Sequence, residues 1–274
     1  MGRDSVATGH CWRWSEQAGL RRKRRRRRRT LLKVMLPMAN IDFMKRVVEP
    51  EWLDELPADD PGAMGSWQDL RLLNRVMGHG GILRGLLRPA MDGRAPKRIA
   101  ELGAGDGTLM LALAGRFAPG WQRVEVTLVD CKDVVTDTTR EGFAALGWVV
   151  EVVTADVFDW LMKPAETADA MVVNLFLHQF PERQLKELLR LAAARTKVLV
   201  ACEPRRGRLP LVFSRMVRLI GCNAVTRHDA VLSVQAGFAG RELSALWPEK
   251  DLWRLREGSA KLFSHAFLAE RKER

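Results

Sequence analysis

The stretch R-I-A-E-L-G-A-G-D-G-T, residues 98–108, decides the fold. Arg98 to Leu102 is a short apolar run that reads as a strand. Asp106 to Phe117 has helical spacing and ends at Pro119 and Gly120. Between them Gly103, Gly105 and Gly107 alternate with Ala104 and Asp106. Glycine at alternate positions of a strand-to-helix turn lets a ligand approach the backbone at a helix N-terminus. A dinucleotide-binding loop would carry its third glycine at position 108, which is Thr108 here.

Strand and helix alternate outward from this turn. Val124 to Val129 reads as a second strand ended by Asp130, Val134 to Leu146 as a helix stopped by Gly147, and Trp148 to Val153 as a third strand. Ala170 to Phe176 is a fourth strand. A helix follows from Pro181, with Leu185, Leu188, Leu189 and Ala192 on one face. Val198 to Ala201 is strand five, and Leu209 to Ile220 a helix. Leu252 to Leu255 and Leu262 to Leu268 read as strands about a Gly258-Ser259 turn. Upstream, Pro50 to Gly65 reads as loop with short helical turns. Leu70, Leu73 and Met77 then recur at helical spacing up to a break at 78–81, and Ile82 to Leu87 continues as helix. The pattern predicts an α/β fold: a Rossmann-like, seven-stranded, mostly parallel sheet with an antiparallel last strand, helices on both faces and an N-terminal helical lid.

The 274 residues are 47% hydrophobic and 28% charged, which excludes general disorder, a collagen-like repeat and a disulfide scaffold. No apolar run reaches the roughly 18–20 residues of a bilayer span. Cys11, Cys131, Cys202 and Cys222 form no C-x-x-C pair, which argues against structural zinc and a disulfide framework and for a reducing cytoplasm. The net charge of +12 is local, since residues 1–34 hold 12 Lys/Arg and 2 Asp/Glu, and Arg21 to Arg29 is wholly basic. Such a block has no apolar face to bury and does not fold alone. It reads either as a tail that binds polyanions, or as translated upstream sequence ahead of a start at Met35, Met38 or Met44. The second reading is preferred. Away from this tract, nucleic acid is not an expected partner.

Three residues stand in register with the glycine loop. Asp130 closes strand two, where a carboxylate can take both hydroxyls of a ribose. Asp156 follows strand three in T-A-D-V-F, placed to meet an adenine amino group, and Asn174 closes strand four. With these features the chain resembles the class I S-adenosylmethionine-dependent methyltransferases, from about Lys97 to the C-terminus. E-L-G-A-G-D-G is similar to that family's first motif, Asp130 to its second, and Ala155-Asp156-Val157 to its adenine-side motif. The resemblance implies S-adenosylmethionine as cofactor. Glu101 would lie at the methionine ammonium, Gly103, Ala104, Gly105 and Gly107 along methionine and ribose, Asp130 on the ribose, and Asp156 with Val157 at the adenine. A lone Asp after a strand also serves as a helix cap.

The run N-L-F-L-H-Q-F, 174–180, lacks the [DN]-P-P-[YF] signature of adenine methylation in nucleic acids, and the chain has no Pro-Cys dipeptide for cytosine chemistry. Only Asn174 is available as a metal ligand there, so no metal is expected. The run resembles small-molecule methyltransferases of the ubiquinone and polyketide-tailoring kind. In plant-type phenol O-methyltransferases a similar position carries a general-base His, usually followed by Asp-Trp. That maps onto His178, which Gln179-Phe180 follows here. A phenol must lose its proton to accept a methyl group, and an imidazole of pKa ~6.5 suits that task. The other reading of His178 is a helix cap or backbone partner. His228 beside Asp229 is a second candidate base, and Arg227 could bind an anionic acceptor. Thr226 and Asp229 also stand at capping-box spacing.

The expected organisation is a basic tail at 1–36, a helical lid at 37–95 with Met64, Trp67 and Met77 as acceptor wall, and a methyltransferase domain at 96–274. The expected reaction is O-methylation of a small aromatic or polyketide-like hydroxyl. The alternatives are C- or N-methylation of a metabolite, a protein or RNA acceptor docked by the tail, and a non-catalytic adenosylmethionine-binding protein.

Overall fold

The computed structural model describes residues 45–164 and 166–272. The basic block at 21–29 and the candidate start sites Met35, Met38 and Met44 lie outside them. Strands β1 (Arg98–Leu102), β2 (Glu125–Asp130), β3 (Val149–Thr154), β4 (Ala168–Asn174) and β5 (Thr196–Pro204) run parallel. The hairpin of β6 (Trp253–Ala260) and β7 (Ser264–Arg271) completes a seven-stranded sheet of order β3-β2-β1-β4-β5-β7-β6. Only β7 opposes its neighbours β5 and β6. The strand order reverses between β1 and β4, and in open α/β sheets that reversal opens a ligand crevice at the strands' carboxyl ends.

Alternation along the central strands divides the apolar side chains between two cores. Ile99, Ala170, Val172, Val198 and Val200 face one, against α3 (His79–Ala90), α4 (Thr108–Phe117) and α5 (Asp137–Ala145). Ala100, Leu102, Met171, Val173 and Leu199 face the other, against α6 (Val157–Met162), α7 (Glu182–Arg195) and α10 (Glu242–Leu246). Leu185, Leu188 and Leu189 of α7 are fully buried, each contributing about 1.5–3 kcal/mol. Helices α1 (Trp52–Glu55), α2 (Pro61–Met77), α8 (Arg208–Met216) and α9 (Ala224–Ala236) supply residues to a cavity at the strands' carboxyl ends.

The segment 50–65 is more ordered than its Pro, Asp and Gly content suggests. Asp60 accepts hydrogen bonds from Gly62 N and Ala63 N, and Pro61 occupies the first helical position, so α2 starts there. Gly78, at φ 70°, breaks α2 from α3 where expected. The last hairpin does not turn at Gly258-Ser259. Those residues pair with Ala266 and His265 inside β6, and the chain reverses at residues 261–263 with Lys261 at φ 56°. A buried pair holds this register: His265 Nε2 lies 2.9 Å from Glu257 Oε1, and Glu257 also accepts from Leu243 N and Ser244 N of α10. Cys202 and Cys222 are free and buried. Among the described residues no helix is long and apolar enough to cross a membrane.

Asp60→Ala should cost about 1 kcal/mol in chemical denaturation, the usual worth of an N-cap. A loss within error would show that α2 is held by packing alone.

Candidate active site

Gly103, Gly105 and Gly107 take φ values of 69°, 53° and 71°, which side chains other than glycine's rarely tolerate. Each is also closely covered. A Cβ at 103 would strike the Phe176 ring, one at 105 would lie 2.8 Å from Trp67, and one at 107 would lie 2.7 Å from Leu128. The loop hangs from β2, with Gly103 N and Ala104 N donating to Val129 O. Gly105 N donates to Asp130 Oδ2 at 2.8 Å, and Lys132 N to Asp130 Oδ1 at 2.9 Å. Burial raises the pKa of Asp130 against these bonds. Asp130 therefore ties two loops together as well as facing the cavity.

The lid helix α2 meets the loop with residues at i, i+4 and i+7, one helical face. Trp67 covers Gly105, Arg71 Nε donates to Asp106 Oδ2 at 2.5 Å, and Asn74 Oδ1 accepts from Asn174 Nδ2 at 3.1 Å. His79 Nδ1 reaches the same Asn74 oxygen at 2.8 Å, and burial lowers its pKa to about 4. Three buried polar atoms of cavity residues have no partner among the described residues: Glu101 Oε2, Asn174 Oδ1 and Trp67 Nε1. Burial, then Asp106 and Asp130, push the Glu101 pKa well above its usual range. A cation placed there would relieve that cost.

The turn after β4 is built around Glu203, at the end of β5 and 0% exposed. Its Oε1 accepts from Phe176 N at 3.0 Å and Leu177 N at 2.9 Å. Its Oε2 accepts from His178 N at 3.3 Å and lies 2.8 Å from His178 Nδ1. The other ring nitrogen, Nε2, lies 3.2 Å from Glu51 Oε1, which also accepts from Ser233 Oγ at 2.5 Å. Burial lowers the imidazole pKa, but Glu203 and Glu51 outweigh it and hold His178 up to about 9. His178 lines the cavity as an imidazolium with both N–H groups engaged. As it stands it has no lone pair to act as the expected base.

His228 is not among the cavity-lining residues, although Asp229 is. The expected His228–Asp229 pair forms at 2.8 Å, but the imidazole stacks on Trp52 with centroids 3.7 Å apart. Asp229 also accepts from Trp52 N and Leu53 N, which fastens α1 to α9. The cap of α9 is Asn223, whose Oδ1 accepts from Thr226 N, rather than Thr226. Asp156 and Val157 do not line that cavity either, although Ala155 N, just before them, donates to Asp130 O. Asp156 Oδ1 caps α6 by accepting from Phe158 N and Asp159 N, and Val157 is core. The two acidic residues of 50–65 that face the cavity, Glu51 and Asp54, carried no sequence signal beyond their charge.

Residues 99–198 match the model of a methyltransferase domain. An O-methyltransferase family protein from Burkholderia thailandensis aligns at 16% identity over 78% of this chain and 63% of its own, with TM-score 0.54. Mitomycin 7-O-methyltransferase MmcR aligns at 20% over 80% of this chain and 60% of its own, TM-score 0.53. The plantazolicin methyltransferase BpumL, in complex with a monoazolic desmethylPZN analog and SAH, aligns at 11% over 78% of this chain and 92% of its own, TM-score 0.57. The chain thus spans under two thirds of the length of the first two. No curated protein matches it by sequence. Residues 99–198 carry a methyltransferase domain, and S-adenosylmethionine is the methyl donor of that family.

The residues present fit that donor. Residues 103, 105 and 107 must be glycines, because φ is positive at each and Phe176, Trp67 and Leu128 leave no room for a side chain. Glu101 Oε2 and Asn174 Oδ1 are open acceptors for an ammonium.

Gly105→Val should abolish S-adenosylhomocysteine binding in calorimetry, because the side chain meets Trp67 and φ is positive. Unchanged affinity would remove the loop from the cofactor site. A second expectation concerns pH. The folded His178 pKa lies above its ordinary 6.5, so its contribution to stability is complete below about 6.5 and is lost as pH rises through about 9. The unfolding temperature should fall over that window, and His178→Gln should flatten the fall. An identical profile in the variant would mean the imidazole is not held as a cation.

Proposed function

We propose that this protein transfers a methyl group from S-adenosylmethionine to a hydroxyl of a small aromatic or polyketide-like acceptor, and that Asp54 receives the hydroxyl proton. One observation carries the reading. The glycine cradle opens into a cavity with an apolar patch (Trp67, Leu70, Met77, Phe176, Phe213, Phe263) among polar and charged residues, and the Asp54 carboxyl faces that cavity unpaired. Apart from Glu101 beneath the loop, Asp54 is the only titratable cavity residue without a hydrogen-bond partner among the described residues. An apolar patch inside a concave site suits a small ring system better than a nucleic acid or a polypeptide. The fold shared with the mitomycin and plantazolicin enzymes supports a small acceptor.

When bound, the cofactor supplies a methyl group on a positively charged sulfur. The chain's own residues do the rest. Glu101 and Asn174 would accept from the ammonium, and Asp130 holds the loop in place. Burial and the neighbouring Glu51 raise the Asp54 pKa to about 8; Lys132 opposes this, and Asp229 adds to the rise. A carboxylate so placed is a far stronger base than an exposed aspartate. The N-terminal segment is fastened beside the site: Lys132 Nζ donates to Leu53 O and Leu56 O, and Arg46 donates to the carbonyls of Ala236, His178 and Phe180.

Mass spectrometry of hydroxylated aromatic and polyketide acceptors, incubated with the protein and methyl-labelled cofactor, tests the reaction. A labelled ether is expected, and label on nitrogen or carbon would correct the atom. With an acceptor in hand, Asp54→Asn should lower the single-turnover rate by roughly 10²–10⁴ and remove a rise with pH centred near about 8. It should leave S-adenosylhomocysteine affinity unchanged. A variant of near-normal rate would return the proton to His178, freed from Glu51.

A further inference from the structure

Helix α8 and the 3₁₀ turn after it, Val217–Ile220, have two apolar faces. The inner one is accounted for: Pro210, Phe213, Ser214 and Val217 line the cavity, and Phe213 stacks on Phe263 at 4.1 Å. The outer one faces solvent. Leu209, Val212, Met216, Leu219 and Ile220 recur at helical spacing, and Leu219 is 73% exposed where its neighbour Val217 is 2% exposed. Arg208, Arg215 and Arg218 are exposed beside this stripe. From Pro204 to His228 the chain contains no Asp or Glu. None of this serves the methyl-transfer chemistry, and an exposed apolar stripe of this length is unusual for a surface with no partner.

We propose that the outer face of α8 docks the protein on an anionic lipid surface. An apolar stripe flanked by arginines and free of acidic residues is the composition of a helix that lies in the plane of a membrane interface. Its apolar side chains enter the acyl boundary and its guanidinium groups meet the lipid phosphates. The same face suits a second copy poorly, because a two-fold contact would set the arginine stripe against itself with no carboxylate between. Docking brings the cavity wall to the lipid surface, so the acceptor reaching it would be one that partitions into the bilayer. That consequence rests on the acceptor class proposed above, and the docking does not.

The test uses the full chain with vesicles of phosphatidylcholine containing phosphatidylglycerol, and with phosphatidylcholine alone. The Arg21–Arg29 block will also attract anionic vesicles, so two region-specific readouts are needed. Amide hydrogen exchange over 208–220 should slow when the anionic vesicles are added. At about 0.5 M salt, where long-range attraction is screened, the Leu209→Ser/Met216→Ser/Leu219→Ser variant should float with vesicles about tenfold less than wild type. Leu219→Ser alone, a change at the most exposed site, gives a smaller loss in the same direction and guards against a misfolded triple variant. Unchanged exchange over 208–220, or equal flotation of variant and wild type, would overturn the proposal. So would a wild-type dimer in sedimentation that the triple variant dissolves while vesicle binding stays the same. Methyltransferase activity enters none of these readouts, so they decide the docking whether or not an acceptor is found.

Discussion

The buried carboxylate of Glu203 organises the centre of this molecule. A charge in a dry interior is tolerated only when donors surround it, and Glu203 collects three backbone N–H groups and one imidazole N–H. Those donors all come from the turn after β4, where Leu175 takes a φ of 53° that a leucine avoids when free to choose. The carboxylate thus offsets the strain of the turn and fixes Phe176, whose ring lies against Gly103 and forms part of the cavity wall. Removing it would leave four donors buried without acceptors, at a cost of about 1–3 kcal/mol each.

The same charge reaches the lid. Glu203, His178, Glu51 and Ser233 form a continuous chain from β5 to α9, with the imidazolium between two carboxylates. One cation between two anions suits burial better than a neutral histidine would here, since a neutral ring has one N–H and one of the two carboxylates would lose its imidazole donor. The lid is consequently tied to the sheet by ionic hydrogen bonds at Glu51 and by Asp229 at Trp52 and Leu53. The free carboxyl of Asp54 sits between these anchored groups, within range of the charges of Glu51, Asp229 and Lys132.

The local features were legible in the sequence. The E-L-G-A-G-D-G turn and the alternation of strands and helices depend on residues close together in the chain, and the structure places them as the spacing implies; the reversed last hairpin is present, but its turn lies at 261–263 rather than at Gly258-Ser259. What depended on register was hidden. Glu203 and His178 are 25 residues apart, and only the alignment of Asn174 with Cys202 across β4 and β5 makes them neighbours. A histidine read alone looks like a base, and the carboxylates that occupy it cannot be seen from its flanks. Glu51 and Asp54 sat in a stretch whose prolines and aspartates read as loop, because the signal at Asp60-Pro61 is a helix start as well as a turn. Asp156 shows how one residue type carries two signals, since an acid after a strand caps a helix N-terminus, as it does here, as readily as it meets a ligand.

Nitrogen-15 NMR of the histidine side chains in the ligand-free protein, with His178→Gln to assign the signal, examines the buried ionic chain most directly. Both His178 nitrogens should carry protons at neutral pH and titrate together near about 9. A neutral His178 at neutral pH, with one nitrogen unprotonated, would contradict the imidazolium and restore that residue as the base.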